Sequence, residues 1–156
     1  MSKAGYGVTT EGAIALSAAT AKTILGIKSA SDFGLDVKKY RVSFDGVTAS
    51  AVPVFVELVY STWATNAPGT NSTSVTPHQE YGRTIAHGTT AAAGWSSEPT
   101  VLTVLESYLL TPNGGTVLYD WPLGDTPDSN TGEGFGIRCT APATVNVRAS
   151  IVFERC

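Results

Sequence analysis

The sequence predicts an all-β fold: an antiparallel β-sandwich of about eight strands, jelly-roll-like, with an extended N-terminal arm. Three observations favour this class. Apolar and polar residues alternate in several stretches, as in strands with one buried face. Gly, Pro, Asn and Asp cluster between those stretches, as in turns, and no helical pattern has clear caps. An immunoglobulin-like sandwich is the main alternative, and the lack of a Cys…Trp…Cys arrangement disfavours it.

The composition fits a single domain. A chain of 156 residues can bury a core without disulfides or metals. Charged residues make up 15% of the chain, well below the roughly 25% of typical soluble domains. Such a chain is either β structure rich in small residues or a subunit that hides surface in an assembly.

Residues 1–19 are mostly Gly, Ala, Ser and Thr, which predicts an arm outside the core and a sandwich domain over 20–156. An Ala-rich helix over 13–25 is an alternative, disfavoured by its β-branched residues and missing polar face. We expect the arm to be the segment that attaches the protein to a partner. Its apolar anchors would be Tyr6, Val8, Ile14 and Leu16.

Strand patterns begin near residue 22. They cover 23–28, then 37–44 with a turn signal at Asp45-Gly46, then the most apolar run, 51–62. That run is apolar on both faces, so a core on one side leaves Phe55 and Val59 on the other. An outer face of this kind needs cover, and we expect both residues to lie in a subunit interface.

Two long loops rich in small residues, 63–77 and 87–99, enclose a weak strand pattern at 80–87. Loops of this length are usually functional or packed on a partner. Trp63, Trp95 and Trp121 flank these and later loops. They either form a partner-contact or sugar-stacking surface or plug the ends of the sandwich, and we count Trp63 and Trp95 among the candidate contact residues.

Strand patterns resume at 100–110 and 116–121, joined by a turn signal at 113–115. The last two patterns, 135–139 and 145–153, are predicted to form a closing hairpin. In that hairpin Cys139 would lie about eleven residues, or roughly 35 Å, from the level of Cys156. We therefore expect no disulfide between them, because the Cα atoms of a disulfide lie within about 7 Å.

The sequence predicts no catalytic, cofactor-binding or metal-binding residue, and we do not expect an enzyme. His78 and His87 are the only histidines, and neither has a second ligand at a metal-like spacing. Four acidic loop residues lack the regular spacing of a calcium loop and are interpreted as turn residues. These four are Asp120, Asp125, Asp128 and Glu133.

Charge and hydropathy exclude two classes of partner. The net charge is −3 and no basic cluster exceeds Lys38-Lys39, so we expect no nucleic-acid partner. No apolar run reaches the roughly 18 residues that span a bilayer, and the first residues lack the apolar core of a secretory signal. We expect no membrane partner and synthesis in a cytoplasm.

Five runs resemble a group of small virion proteins of tailed bacteriophages: FGLDVKKY at 33–40, SFDGV at 43–47, APGTN at 67–71, LTPNG at 110–114 and PLGD at 122–125. The resemblance implies a minor capsid or decoration (cement) protein. Such a protein would bind the outside of a capsid, stabilise it, contact the major capsid protein and form a homotrimer. It would be made in the host cytoplasm and reside in the virion.

The alternative function is a carbohydrate- or receptor-binding β-sandwich module of a phage tail. A module of that kind needs its aromatic residues and loop acids to converge on one exposed pocket. A decoration protein would instead place its exposed apolar residues in interfaces.

Overall fold

The computed structural model describes residues 4–45, 52–100, 102–113, 116–122 and 124–156. Within these ranges the chain forms twelve strands and no helix. The all-β prediction is confirmed; the count exceeds about eight because several strands are only three to five residues long. The strands are β1 (Gly5–Thr9), β2 (Ile14–Leu16), β3 (Ala21–Lys28), β4 (Leu35–Asp45), β5 (Val54–Ser61), β6 (Thr73–Val75), β7 (His78–Tyr81), β8 (Thr90–Ala93), β9 (Leu102–Leu110), β10 (Thr116–Asp120), β11 (Gly134–Thr140) and β12 (Val145–Arg155).

The strands form two antiparallel sheets. The first sheet has the order β10-β4-β12-β1-β7, and β2 also pairs with β12. The second sheet has the order β6-β8-β3-β11-β5-β9. The chain passes from one sheet to the other many times, so most neighbours in a sheet are distant in sequence, as in double-sheet sandwiches.

The core lies between the sheets. Along β12 the alternation of 145–153 is confirmed: the odd-numbered residues point inward, and Ile151 and Phe153 are fully buried. Leu58 of β5 and Phe135 and Ile137 of β11 are also fully buried, in the same cluster. Burying each of these side chains contributes about 1.5–3 kcal/mol, so the core is large enough to fix both sheets.

The predicted closing hairpin is wrong. β11 pairs with β3 and β5 in the second sheet, whereas β12 pairs with β1, β2 and β4 in the first. The connection at 141–144 therefore crosses between the sheets. The reason is that β11 is buried along most of its length, and so needs a neighbour on each side. The prediction of unpaired cysteines is confirmed: Cys139 is a buried free thiol and Cys156 an exposed one.

The predicted N-terminal arm is wrong for residues 4–19. β1 lies inside the first sheet between β12 and β7, and Tyr6 and Val8 are buried in the core. The glycines that suggested an arm serve close packing instead. A Cβ on Gly5 would lie 2.2 Å from the Tyr81 ring, and one on Gly7 would lie 2.3 Å from a carboxylate oxygen of Glu80.

Some predictions fall outside the described residues. The start of the arm, residues 1–3, is one, and the turns predicted at 45–46 and 113–115 are only partly described. Among the described residues, no helix is long and apolar enough to cross a membrane.

Candidate functional site

Each of the two histidines contacts a neighbouring side chain. His78 on β7 lies with Nε2 3.2 Å from Oε1 of Glu80. The His87 and Tyr6 rings form a T-shaped contact, with ring centroids 6.1 Å apart. In the described ranges no group of three or more His, Cys, Asp or Glu side chains could hold a metal ion.

Two of the predicted turn acids organise their loops. The Glu133 carboxylate accepts hydrogen bonds from the Tyr60 hydroxyl and the Asn130 amide, which ties the loop before β11 to β5. The backbone of Asp128 forms an isolated antiparallel β-bridge with the backbone of Asp36 near the start of β4. These contacts agree with the interpretation of both acids as loop residues.

Trp63 and Trp95 cover the outer face of the second sheet. Their rings stack at 5.6 Å over Gly26 of β3, where a Cβ would lie 2.7 and 2.8 Å from them. Trp63 Nε1 donates to the Ile27 carbonyl, and Trp95 Nε1 donates to the Asn66 carbonyl. Both side chains are buried. The structure thus places both rings inside the protein and not on an exposed contact surface. The segments 63–77 and 87–99, predicted as loops, contribute β6 and β8 to the second sheet.

Most of the other predicted contact residues are also internal. Tyr6, Val8 and Leu16 belong to the core, and Ile14 is half-buried against it. Val59 is fully buried although it points away from the core, because its side chain fills the space beside Gly136 on β11. These residues present little or no surface to a partner. Phe55 is different, since 37% of it is exposed.

Phe55 belongs to an exposed apolar surface that we call the β9 strip: Phe55, Val104, Leu105 and Leu109. Leu109 is 68% exposed and is the direct cross-strand partner of Phe55. Val104 and Leu105 are 46% and 42% exposed, beside an irregularity in the pairing of β5 with β9. In the described residues β9 pairs only with β5, which makes it the edge of the second sheet.

The β9 strip ends where polar pairs begin. On the same outer face Arg138 Nε lies 2.7 Å from Oε2 of Glu57, and Glu57 is nearly buried. Next to them Glu98 accepts hydrogen bonds from the amide and hydroxyl of Thr23. The polar groups in the middle of this face are thus paired with one another, and among the described residues its large exposed apolar side chains lie at the β9 end.

A second surface feature lies on the outer face of the first sheet. We call it the Tyr81–Trp121 hollow, a concave region of about 370 Å³. Trp121 and Asp120 at the end of β10 form one rim, Tyr81 of β7 forms the other, and Val152 of β12 lies between them. The remaining lining residues are Lys38, Lys39, Thr126 and Glu154.

A charged network holds Tyr81 in place. Its hydroxyl donates to Glu154 at 2.8 Å, and Lys38 Nζ lies 2.5 Å from Asp36 and 3.4 Å from Glu154. Burial, followed by this hydrogen bond to Glu154, raises the pKa of Tyr81. Burial alone would lower the pKa of Lys38, but Asp36 and Glu154 together raise it. Both side chains therefore keep their protons at neutral pH, and the network fixes the position of the Tyr81 ring.

Sequence reasoning found Phe55 and flagged Trp121 and Asp120, but it missed Leu109 and Tyr81. The double leucine at 109–110 was the available signal for an exposed residue, because consecutive residues in a strand point to opposite faces. Nothing local marks Tyr81, which reaches the hollow only because β7 pairs with β1.

Comparison with known proteins finds no matching family model, no matching curated protein and no matching solved structure.

Proposed function

We propose that the chain is a structural protein of a tailed-phage virion, a decoration protein that binds the outside of the capsid and stabilises it. The observation that carries this proposal is the β9 strip, an apolar surface at an open sheet edge. The resemblance of five sequence runs to small virion proteins supplies the virion and the major capsid protein as partner.

The edge itself favours association. Natural proteins protect edge strands with Lys, Pro, bulges or covering loops. β9 runs for nine residues without Lys, Arg or Pro, and Glu106 is its only charged residue. Its irregular pairing near Leu105 is the one protective feature seen among the described residues. An edge of this length and composition is suited to pairing with, or packing against, another chain.

The exposed side chains provide the energy. Burying the exposed parts of Phe55, Val104 and Leu109 on association would contribute on the order of 1 kcal/mol each at 25 cal/mol per Å². The Phe55–Leu109 pair forms the largest exposed element of the strip. We propose that it is the centre of the contact, in place of the pair Phe55 and Val59.

The trimeric state belongs to the same proposal and comes from the resemblance. In a cyclic trimer each interface joins two different surfaces, so the β9 strip of one subunit would meet another face of the next. The same strip could instead meet the major capsid protein. A charged fraction of 15% suits either arrangement, because interface cores are depleted in charge.

The test starts with virions produced by the phage that encodes the chain. We expect mass spectrometry to find the protein in purified particles and cryo-electron microscopy to place it on the outer capsid surface. Its absence from particles would refute the proposal.

Undecorated particles then test the surface. We expect the variant Leu109→Lys to reduce occupancy at least tenfold, because it places a charge on the most exposed apolar side chain of the strip. Thr131→Lys is the matched control, since Thr131 is exposed and lies in the loop before β11. Equal occupancy of the two variants would show that the β9 strip is not the contact.

A further inference from the structure

We propose that the Tyr81–Trp121 hollow binds a neutral saccharide. This inference is independent of the decoration role, which rests on the β9 strip of the other sheet. It assigns a place in the fold to the carbohydrate-binding alternative, because aromatic and acidic side chains meet at this exposed concavity.

The Tyr81 rim has the geometry for stacking. Three carbons of the Tyr81 ring would lie within 2.6 Å of a Cβ on Gly5, so the ring lies flat on the glycine backbone. One face of the ring is thereby covered, and 45% of the residue remains exposed. A sugar ring carries an apolar C–H face, and an aromatic face is its complement. Trp121 packs on Tyr40 with ring centroids 5.5 Å apart and lines the opposite rim.

The floor and walls supply hydrogen-bonding groups between the rims. Asp120 and Lys39 are direct cross-strand partners, yet they form no ion pair within 4.0 Å in the described part of the chain. Their carboxylate and ammonium can therefore accept from and donate to the hydroxyls of a ligand. Thr126 adds a hydroxyl, and Val152 provides an apolar floor.

The charge balance favours a neutral ligand. Lys38 is engaged by Asp36 and Glu154, so its charge is already compensated. Asp120 and Lys39 lie opposite each other on neighbouring strands, so both signs of charge face this part of the hollow. A phosphate would be repelled by the carboxylates of Asp120 and Glu154, and a cation would be repelled by Lys39. A polyol with one apolar face satisfies every group present.

The size of the hollow suits a short saccharide. Its volume of about 370 Å³ lies in the range of small-molecule sites. β10, β4 and β12 lie side by side beneath it, and Tyr81 extends the far rim over β1. Two to three strand spacings of about 4.8 Å separate the rims, or roughly 10–14 Å.

The test is a glycan array of neutral and acidic saccharides, followed by titration calorimetry of the best neutral ligand. We expect binding to neutral saccharides. Asp120→Asn should weaken the affinity at least fivefold, because the amide replaces an acceptor oxygen with a donor. Asp125→Asn is the matched control, since Asp125 is exposed in the next loop and does not line the hollow. We expect its affinity to be unchanged.

Trp121→Ala should weaken the affinity at least tenfold. Because Trp121 also packs on Tyr40, circular dichroism must show that this variant is folded. If it is unfolded, the affinity of Asp120→Asn alone tests the proposal. Failure to bind any neutral saccharide on the array would overturn the proposal. Equal affinities of Asp120→Asn and Asp125→Asn would overturn it as well.

Discussion

We predict that Gly26→Ala destabilises the protein although it adds a single methyl group, because two stacked tryptophan rings lie over Gly26. The new Cβ would lie 2.7 Å from Trp63 and 2.8 Å from Trp95, whereas nonbonded carbons prefer about 3.5–4.0 Å. Both rings must therefore move by roughly 1 Å. Gly26 does not have a positive φ, so the backbone itself accepts alanine and the effect isolates the packing.

The loss in free energy of unfolding can be worked out from the packing and hydrogen bonding that the two rings lose. Overpacking typically costs about 1–3 kcal/mol. The hydrogen bond from Trp63 Nε1 to Ile27 is already 3.1 Å long, and lengthening it would cost about a further 1 kcal/mol. Replacing glycine with alanine in a strand offsets about 0.5–1 kcal/mol of this destabilisation, because glycine loses more conformational entropy on folding. The net loss is about 1–3 kcal/mol, which corresponds to roughly 2–12 °C in Tm for a domain of this size.

Urea denaturation followed by tryptophan fluorescence measures both the stability and the rings. We expect the Gly26→Ala midpoint to fall and the native emission to shift, because the stacked pair is disturbed. Gly12→Ala is the control, since a Cβ there meets nothing within 4 Å. A Gly26→Ala protein as stable as Gly12→Ala would refute the packing argument.

Three further predictions concern other parts of the fold. Glu57→Ala should lower the free energy of unfolding by about 1–3 kcal/mol, because it leaves the half-buried Arg138 without its partner; denaturation of Arg138→Met and of the double variant measures the coupling. In native protein a thiol reagent should label Cys156 and not Cys139, because Cys156 is exposed and Cys139 is buried. Burial raises the pKa of both thiols. The rate of labelling at Cys156 should therefore rise at a higher pH than for a free thiol, because the thiolate is the form that reacts. Deleting residues 2–9 should abolish cooperative unfolding, because it removes β1 from the interior of a sheet.

The fold class was predictable because it depends on local patterns. Alternation over 145–153 placed β12 correctly, and its inward residues are those of the buried parity. The pairing was not predictable in the same way. The alternation of 135–139 describes a strand but carries no information on which sheet that strand joins. The short connection to 145–153 fits a hairpin turn as well as a crossing between sheets. β11 is buried along most of its length, and a strand buried in this way needs a neighbouring strand on each side.

The N-terminus shows why composition misled. Gly5 and Gly7 lower strand propensity and resemble a linker, yet here they let Tyr81 and Glu80 lie against β1. The same packing gives Tyr81 its flat orientation at the rim of the hollow. The candidate site thus depends on pairing between β1 and β7, which lie about seventy residues apart in the chain. No window of sequence contains both partners.

The two candidate surfaces belong to different layers of the sandwich, and this separation bears on how they could act together. The β9 strip lies at the edge of the second sheet, whereas the floor of the Tyr81–Trp121 hollow is the outer face of the first. A partner that covers Phe55 and Leu109 therefore need not cover Val152. A subunit attached through the strip could keep the hollow open to solvent. If both proposals hold, particles decorated with the protein should bind the saccharide and particles decorated with Asp120→Asn should not, whereas occupancy should be the same for both.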